Sequence, residues 1–245
     1  MLKRIKLVVA YDGTNYRGWQ LQKNGITIEE VLNKTLSDLL GEDIHVTGAS
    51  RTDSGVHSLG NVAVFDTNTR IPAEKIAYAL NERLPEDITI QDSCEVAPDW
   101  HPRKCASTKT DEYRIYNSRF PMPTRRLDTY FVYYDIDVDL MRQAAAYLIG
   151  EHDFASFCSS GSAAESTVRT IYSCDIMKDG PVITIRISGS GFLYNMVRII
   201  AGTLLEAGLG RMDPADMERI ISARDRSAAG PTAPAKGLTM IGIEY

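Results

Sequence analysis

The chain is poor in cysteine, and the four it has, Cys94, Cys105, Cys158 and Cys174, stand far apart without a Cys-x-x-Cys pair. Such spacing suggests neither a zinc site nor a disulfide framework, and it reads as a reducing environment. No apolar run is long enough to span a membrane. The opening is basic, but Asp12 interrupts the apolar run after it too early for the core of a signal peptide, so the expected location is the cytoplasm. Positive charge is also in short supply, with 27 Lys and Arg against 32 Asp and Glu and a formal net charge of -5. Taken alone, that total argues weakly against a nucleic-acid partner. What is plentiful is apolar material: 44% hydrophobic residues in 245 allow one large domain or two small ones, with no sign of disorder.

The distribution of charge says more than its sum. Between Arg103 and Arg126 the chain carries Arg103, Lys104, Lys109, Arg114, Arg119, Arg125 and Arg126 against only Asp111 and Glu112, with Tyr113, Tyr116 and Phe120 interleaved. A basic stripe with aromatics suits an RNA contact surface; a strand edge protected by charge is the other reading.

Hydrophobic periodicity predicts a strand over 4–11 and a helix over 27–40, with Ile28, Val31, Leu32, Leu36, Leu39 and Leu40 on one face. Thr27-x-x-Glu30 has the form of a capping box. Strands follow at 44–49 and 61–67, then a helix opened by Pro72 and a strand near 88–97. The first half thus has the order βαββαβ, and allowing for extra elements the second half approximately repeats it. Strands at 111–117 and 130–134 precede a helix from Asp139 to Ile149 ended by Gly150. Strands at 168–178 and 181–188 are joined by a Lys178-Asp179-Gly180 turn. Helices over 192–207 and 214–224 lead to a last strand at 239–245. The predicted fold is α+β: two ferredoxin-like βαββαβ units, 1–104 and 105–245, joined around residues 98–110 with a central cleft between them.

Two stretches stand out chemically. The first is Gly48-Ala49-Ser50-Arg51-Thr52-Asp53-Ser54-Gly55-Val56-His57, which sets Arg, Asp and His between predicted strands. Asp-Ser-Gly by itself is ordinary turn chemistry, so a surface turn is the bland reading. The second is the helix at 192–207, which has almost no polar face and is therefore buried on most sides. Arg198 sits inside that apolar run. Its guanidinium either snorkels out along its stem or takes an anionic partner, for which Asp53 is the candidate.

The string Arg51-Thr52-Asp53-Ser54-Gly55-Val56-His57 resembles the signature of the tRNA pseudouridine synthase A family, with Ser50 in place of a leading Gly. Further landmarks of that family match in its order: Tyr11 through Gln20, Leu84-Pro85, Trp100-His101-Pro102-Arg103, Gly150-Glu151-His152-Asp153-Phe154, Phe192-Leu193 with Met196-Val197-Arg198, and Ala233 through Leu238. Trp100 stands where the family has Phe. The resemblance implies a pseudouridine synthase fold and isomerisation of uridine at positions 38, 39 and 40 in the anticodon stem-loop of tRNA. By the same resemblance Asp53 is the catalytic aspartate, Tyr113 the active-site tyrosine and Arg198 the arginine paired with the aspartate. Arg51 is expected to contact phosphate or hold the flipped nucleotide, and Arg103, Lys104, Arg125 and Arg126 to bind RNA. The family is homodimeric.

The reaction breaks an N-glycosidic bond, turns the uracil while keeping it captive and rejoins C5 to the sugar. It involves no redox change, so no cofactor is expected. An ionised carboxylate can serve as nucleophile or as base, and an adduct at C6, an adduct at C1′ and a glycal intermediate all need Asp53 deprotonated. A nearby guanidinium favours that state. Because the target lies in or beside a stem, it must be extruded from the stack. Tyr113 would stack on the base and assist proton loss from C5, or else serve only as core packing, and His57 is expected to shape the loop by local hydrogen bonds. A glycoside hydrolase would commonly show a flanking pair of carboxylates, whereas the signature offers only one; the RNP aromatics of an RRM and the nucleophile elbow of a serine hydrolase built on Ser50, Asp53 and His57 are absent from the sequence.

Overall fold

A computed structural model describes residues 2–245. The chain divides into two compact units, one made of the residues up to Ala106 together with Met240–Tyr245, the other of Ser107–Thr239.

In the first unit, strand β1 (Lys3–Tyr11) buries every second residue, Ile5, Leu7, Val9 and Tyr11, as the two-residue period of a strand requires. Strands β3 (His57–Thr67) and β4 (Ile88–Val96) flank it antiparallel, with Leu7 opposite Ala63 on one side and Ser93 on the other. The short β2 (Thr47–Gly48) pairs with Ala63 and Val64 of β3. Helices α1 (Ile28–Leu40) and α2 (Ala73–Asn81) contribute Ile28, Leu32, Leu36, Ile76 and Leu80 to the same core as Ile5, Leu7 and Val9. The Thr27 hydroxyl accepts the Glu30 amide at 3.3 Å to start α1, while Glu29 accepts the Leu21 amide at 2.8 Å and ties down the chain that leads in.

In the second unit, β5 (Thr108–Asn117) pairs in parallel with β6 (Tyr130–Val132) and antiparallel with β9 (Val182–Gly189). Strand β8 (Val168–Asp179) follows antiparallel to β9, and β7 (Gly150–Asp153) antiparallel to β8. The helices are α3 (Val138–Ala146), α4 (Met196–Gly208) and α5 (Asp216–Ala223). Helix α4 is buried nearly all round, as its composition predicts. The last strand, β10 (Leu238–Glu244), starts in the second unit and ends in the first. Among the described residues no helix is long and apolar enough to cross a membrane.

Four elements differ locally from the sequence reading. The strand expected at 44–49 shrinks to Thr47–Gly48, because the amides of Ile44 and Val46 are taken by Ser37 Oγ and Asn33 Oδ1 of α1 instead of a neighbouring strand. Helix α3 stops at Ala146, and Gly150, expected to end it, opens β7 instead. The hairpin turn is Gly180-Pro181, one step past the expected place, since Asp179 still pairs with Val182. Helix α4 begins at Met196 rather than 192, because Asn195 adopts a left-handed conformation, φ 61° and ψ 8°, that no α-helix continues.

Part of the basic stripe is spent internally. Glu112, with its side chain 7% exposed, accepts from Arg114 Nη2 at 2.7 Å and from Arg186 Nε at 2.8 Å. Burial pushes this carboxyl upward, but the two guanidinium groups outweigh it and hold the pKa below its ordinary 4.5. A carboxyl depressed on folding adds stability that is present above its unfolded pKa and lost as the pH falls below it. Glu112→Gln is therefore expected to lower the urea midpoint at pH 7, by leaving two guanidinium groups without their anion. The gap to the parent should close as both are titrated below pH 4.5. A gap that stays constant down to pH 3 would show that the carboxylate charge is not what stabilises this triad.

Candidate active site

The Asp53 loop is held by the segment from Tyr11 to Trp19, which lies against it backbone to backbone. A Cβ at Gly13 would overlap the Val56 carbonyl, and one at Gly18 would overlap the Thr52 carbonyl, so the approach is open only to residues without side chains. Hydrogen bonds then fix the loop step by step. Buried Asn61 donates from Nδ2 to the Ser50 carbonyl at 3.0 Å. The Thr52 hydroxyl meets the Tyr11 hydroxyl at 2.7 Å, and the Trp19 amide donates to the Thr52 carbonyl at 3.1 Å. Tyr16 offers its carbonyl to the Ser54 hydroxyl at 3.2 Å and to the Gly55 amide at 3.3 Å. Its own phenol donates to Asp87 Oδ1 at 2.6 Å, and burial together with that carboxylate raises the phenol's pKa. The turn closes with the Val56 amide on the Asp53 carbonyl at 3.1 Å, with Gly55 third at φ 78°, as a type II turn demands. Asp53 is thus half-buried on a backbone pinned on both sides, and Arg51 beside it is exposed.

His57 shapes the loop, as its sequence position suggests. The Gly13 amide points at Nδ1 from 3.2 Å, while Asp12 Oδ1 lies 3.0 Å from the same nitrogen. Neutral imidazole with its proton on Nε2 accepts from Gly13; protonated at Nδ1 it donates to Asp12 instead, and the two bonds exclude one another. Asp12 Oδ1 also accepts from the Thr14 amide at 3.0 Å. Burial pushes its carboxyl upward, but bonds from the Thr14 hydroxyl and amide and the proximity of His57 bring it below the usual carboxylate value.

In the second unit the structure brings Tyr113 and Arg198 together with the Ala233-Pro234 segment. Tyr113, on β5, is fully buried; its hydroxyl donates to the Pro234 carbonyl at 2.8 Å, and its ring fills the space that a side chain at Gly237 would take. Burial raises the phenol's pKa, and the positive charge of Arg198 works against that rise. Arg198 is half-buried on α4, with Nε donating to the Ala233 carbonyl at 2.8 Å and Nη1 to Asn195 Oδ1 at 2.7 Å. The Ala233 amide in turn donates to the Arg198 carbonyl at 3.1 Å.

The remaining basic residues differ in their circumstances. Arg103 and Lys104 are exposed in the first unit, on a segment anchored by the Tyr245 hydroxyl on the Pro102 carbonyl at 3.0 Å and by the Trp100 ring against Tyr245, 5.0 Å between centroids. Burial, then the charges of Arg103, Lys104 and Arg4, push the His101 pKa down. In the second unit Arg125 pairs with Asp128 at 3.0 Å, Arg126 Nη1 donates to the Pro123 carbonyl at 3.2 Å, and Arg119 lies 5.2 Å over the Phe120 ring. Sequence reasoning named Tyr11 only within a family landmark and missed Asn61 and Asn195. Asn61 reads as an ordinary strand residue, and only a hydrogen-bond network in space singles it out. Asn195 did carry a signal, since asparagine is a poor choice within a predicted helix.

Comparison with known proteins agrees with the sequence signature. A family model described as tRNA pseudouridine synthase matches residues 7–103 and 144–245. Curated proteins named tRNA pseudouridine synthase A align over all of this chain and all of theirs: 47% identical in Acetivibrio thermocellus, 48% in Thermoanaerobacter pseudethanolicus and 48% in Ruminiclostridium cellulolyticum. A solved archaeal box H/ACA sRNP Nop10-Cbf5 complex is matched over 96% of this chain and 46% of that one, at 10% identity and a TM-score of 0.36, too slight a likeness to argue from. By the span of the family model and the full-length identity with curated members, the chain belongs to the tRNA pseudouridine synthase A family of isomerases.

Proposed function

We propose that the protein converts uridine to pseudouridine at positions 38, 39 and 40 in the anticodon stem-loop of tRNA, with Asp53 as nucleophile or base and without a cofactor. The observation that carries this reading is the Asp53 loop in a chain of this family: an aspartate whose backbone neighbours are each tied to the Tyr11–Trp19 segment. A reacting carboxylate must be held to a fraction of an ångström, and pinning the backbone on both sides of it does so before substrate arrives. Arg198 supplies the cation that keeps Asp53 ionised. Tyr113, within electrostatic reach of Arg198, belongs to the uracil pocket. Arg51, exposed next to Asp53, takes a phosphate or the ribose of the extruded nucleotide.

The architecture behind this reading is a pair of ferredoxin-like units, approximately 1–104 and 105–245, forming a pseudouridine synthase fold. The antiparallel order β4-β1-β3-β2 in the first unit supports it, as does the antiparallel run β5-β9-β8 in the second. The protein works in the cytoplasm as a homodimer, the stem-loop lying across two subunits. Affinity comes from phosphate contacts by Arg103, Lys104, Arg125 and Arg126, so a net negative chain can still bind RNA through a local positive surface.

Asp53→Asn preserves shape and removes the ionisable oxygen. Pseudouridine formation under single-turnover conditions should vanish while tRNA affinity persists or rises slightly. A variant converting uridine within roughly tenfold of the parent, a barrier difference of about 1.4 kcal/mol, would remove Asp53 from the chemistry. Reversing Arg103 and Lys104 to Glu should weaken binding to all tRNAs and flatten the dependence of log Kd on log salt by about 2, one for each phosphate no longer neutralised. An unchanged slope would take this segment off the RNA surface.

A further inference from the structure

We infer that Asn195 is a positioning residue for the reaction, acting by fixing the plane of the Arg198 guanidinium. The inference rests on the reading that Arg198 serves the active site. Asn195 stands at the N-cap of α4, where asparagine ordinarily accepts from an amide two or three residues on. Here it makes no side-chain cap bond. Its Oδ1 instead accepts from Arg198 Nη1 at 2.7 Å, and its Nδ2 donates to Ser159 Oγ at 2.9 Å. The Ser159 amide donates back to the Tyr194 carbonyl at 3.1 Å, so the amide plane is clamped from outside the helix.

The backbone tells the same story. Among the described residues only Asn195 and Arg224 are non-glycine residues at positive φ, and asparagine tolerates that region better than most. Strain of this kind persists where surrounding structure over-determines it. The left-handed turn at Asn195 sets the amide one helical turn before Arg198. With Nε on the Ala233 carbonyl and Nη1 on Oδ1, the planar guanidinium is held along two of its edges and cannot rotate about its stem. A helix start that gives up its best capping side chain to hold a cation is built around the placement of that cation.

The test uses Asn195→Gly, which keeps the left-handed backbone and deletes the amide, and Asn195→Asp, which keeps an oxygen for Arg198. Asn195→Gly should lower single-turnover pseudouridine formation about tenfold with unchanged tRNA affinity, while Asn195→Asp recovers to within about threefold of the parent. Added to Arg198→Met, the glycine substitution should change the rate less than about twofold, since nothing remains to position. Solvent exchange of the Arg198 Nε proton, followed by NMR, should speed up in Asn195→Gly and not in Asn195→Asp, a readout independent of turnover. A parental rate or unchanged exchange in Asn195→Gly, or an equal loss with and without Arg198, overturns the inference. A parental rate in Arg198→Met would instead overturn the assignment of Arg198 itself, and this inference with it.

Discussion

The contact on which the first unit's site depends is the one between two stretches of bare backbone. Gly13 and Gly18 lie so close to Thr52–Val56 that any side chain at either would occupy the space of a carbonyl. That proximity allows the Trp19 amide, the Tyr16 carbonyl and the Tyr11 hydroxyl to reach the loop at hydrogen-bonding distance. Without it the Asp53 turn would be a surface turn of the ordinary kind, free to sample many conformations. Buried Asn61 and the Tyr16–Asp87 bond extend the support outward to β3 and to the start of β4.

The second unit solves a different problem, that of keeping a cation in apolar surroundings. Helix α4 buries almost every residue, and Arg198 is accommodated by local acceptors, the Ala233 carbonyl and Asn195 Oδ1. The same segment that receives Nε also takes the Tyr113 hydroxyl at Pro234, so cation and phenol share one strap of chain. Glu112 with Arg114 and Arg186 is a separate use of charge on the same strand β5. Neighbouring residues on one strand thus serve different ends, because alternate side chains face opposite sides of the sheet.

Most helices and strands are legible because hydrophobic period and caps are local properties: Ile5, Leu7 and Val9 alternate, and Thr27 precedes the apolar positions of α1. Two of the misreadings trace to particular residues. Ser37 and Asn33 take the amides that would have made 44–46 a strand. Asn195 turns the chain left-handed four residues into what reads as continuous helix. The basic stripe reads as one surface, yet Arg114 is consumed by Glu112 and Arg125 leans on Asp128.

By itself the sequence determined the family and the approximate element order, since both are written in short strings of residue type and spacing. Only the tertiary structure decided how the Asp53 backbone is immobilised, which ring nitrogen of His57 faces both Gly13 and Asp12, and which groups hold Arg198. Most of those contacts join residues far apart in the chain that meet within a few ångströms once it folds. Spacing along a sequence carries no measure of distance once the chain has folded back on itself.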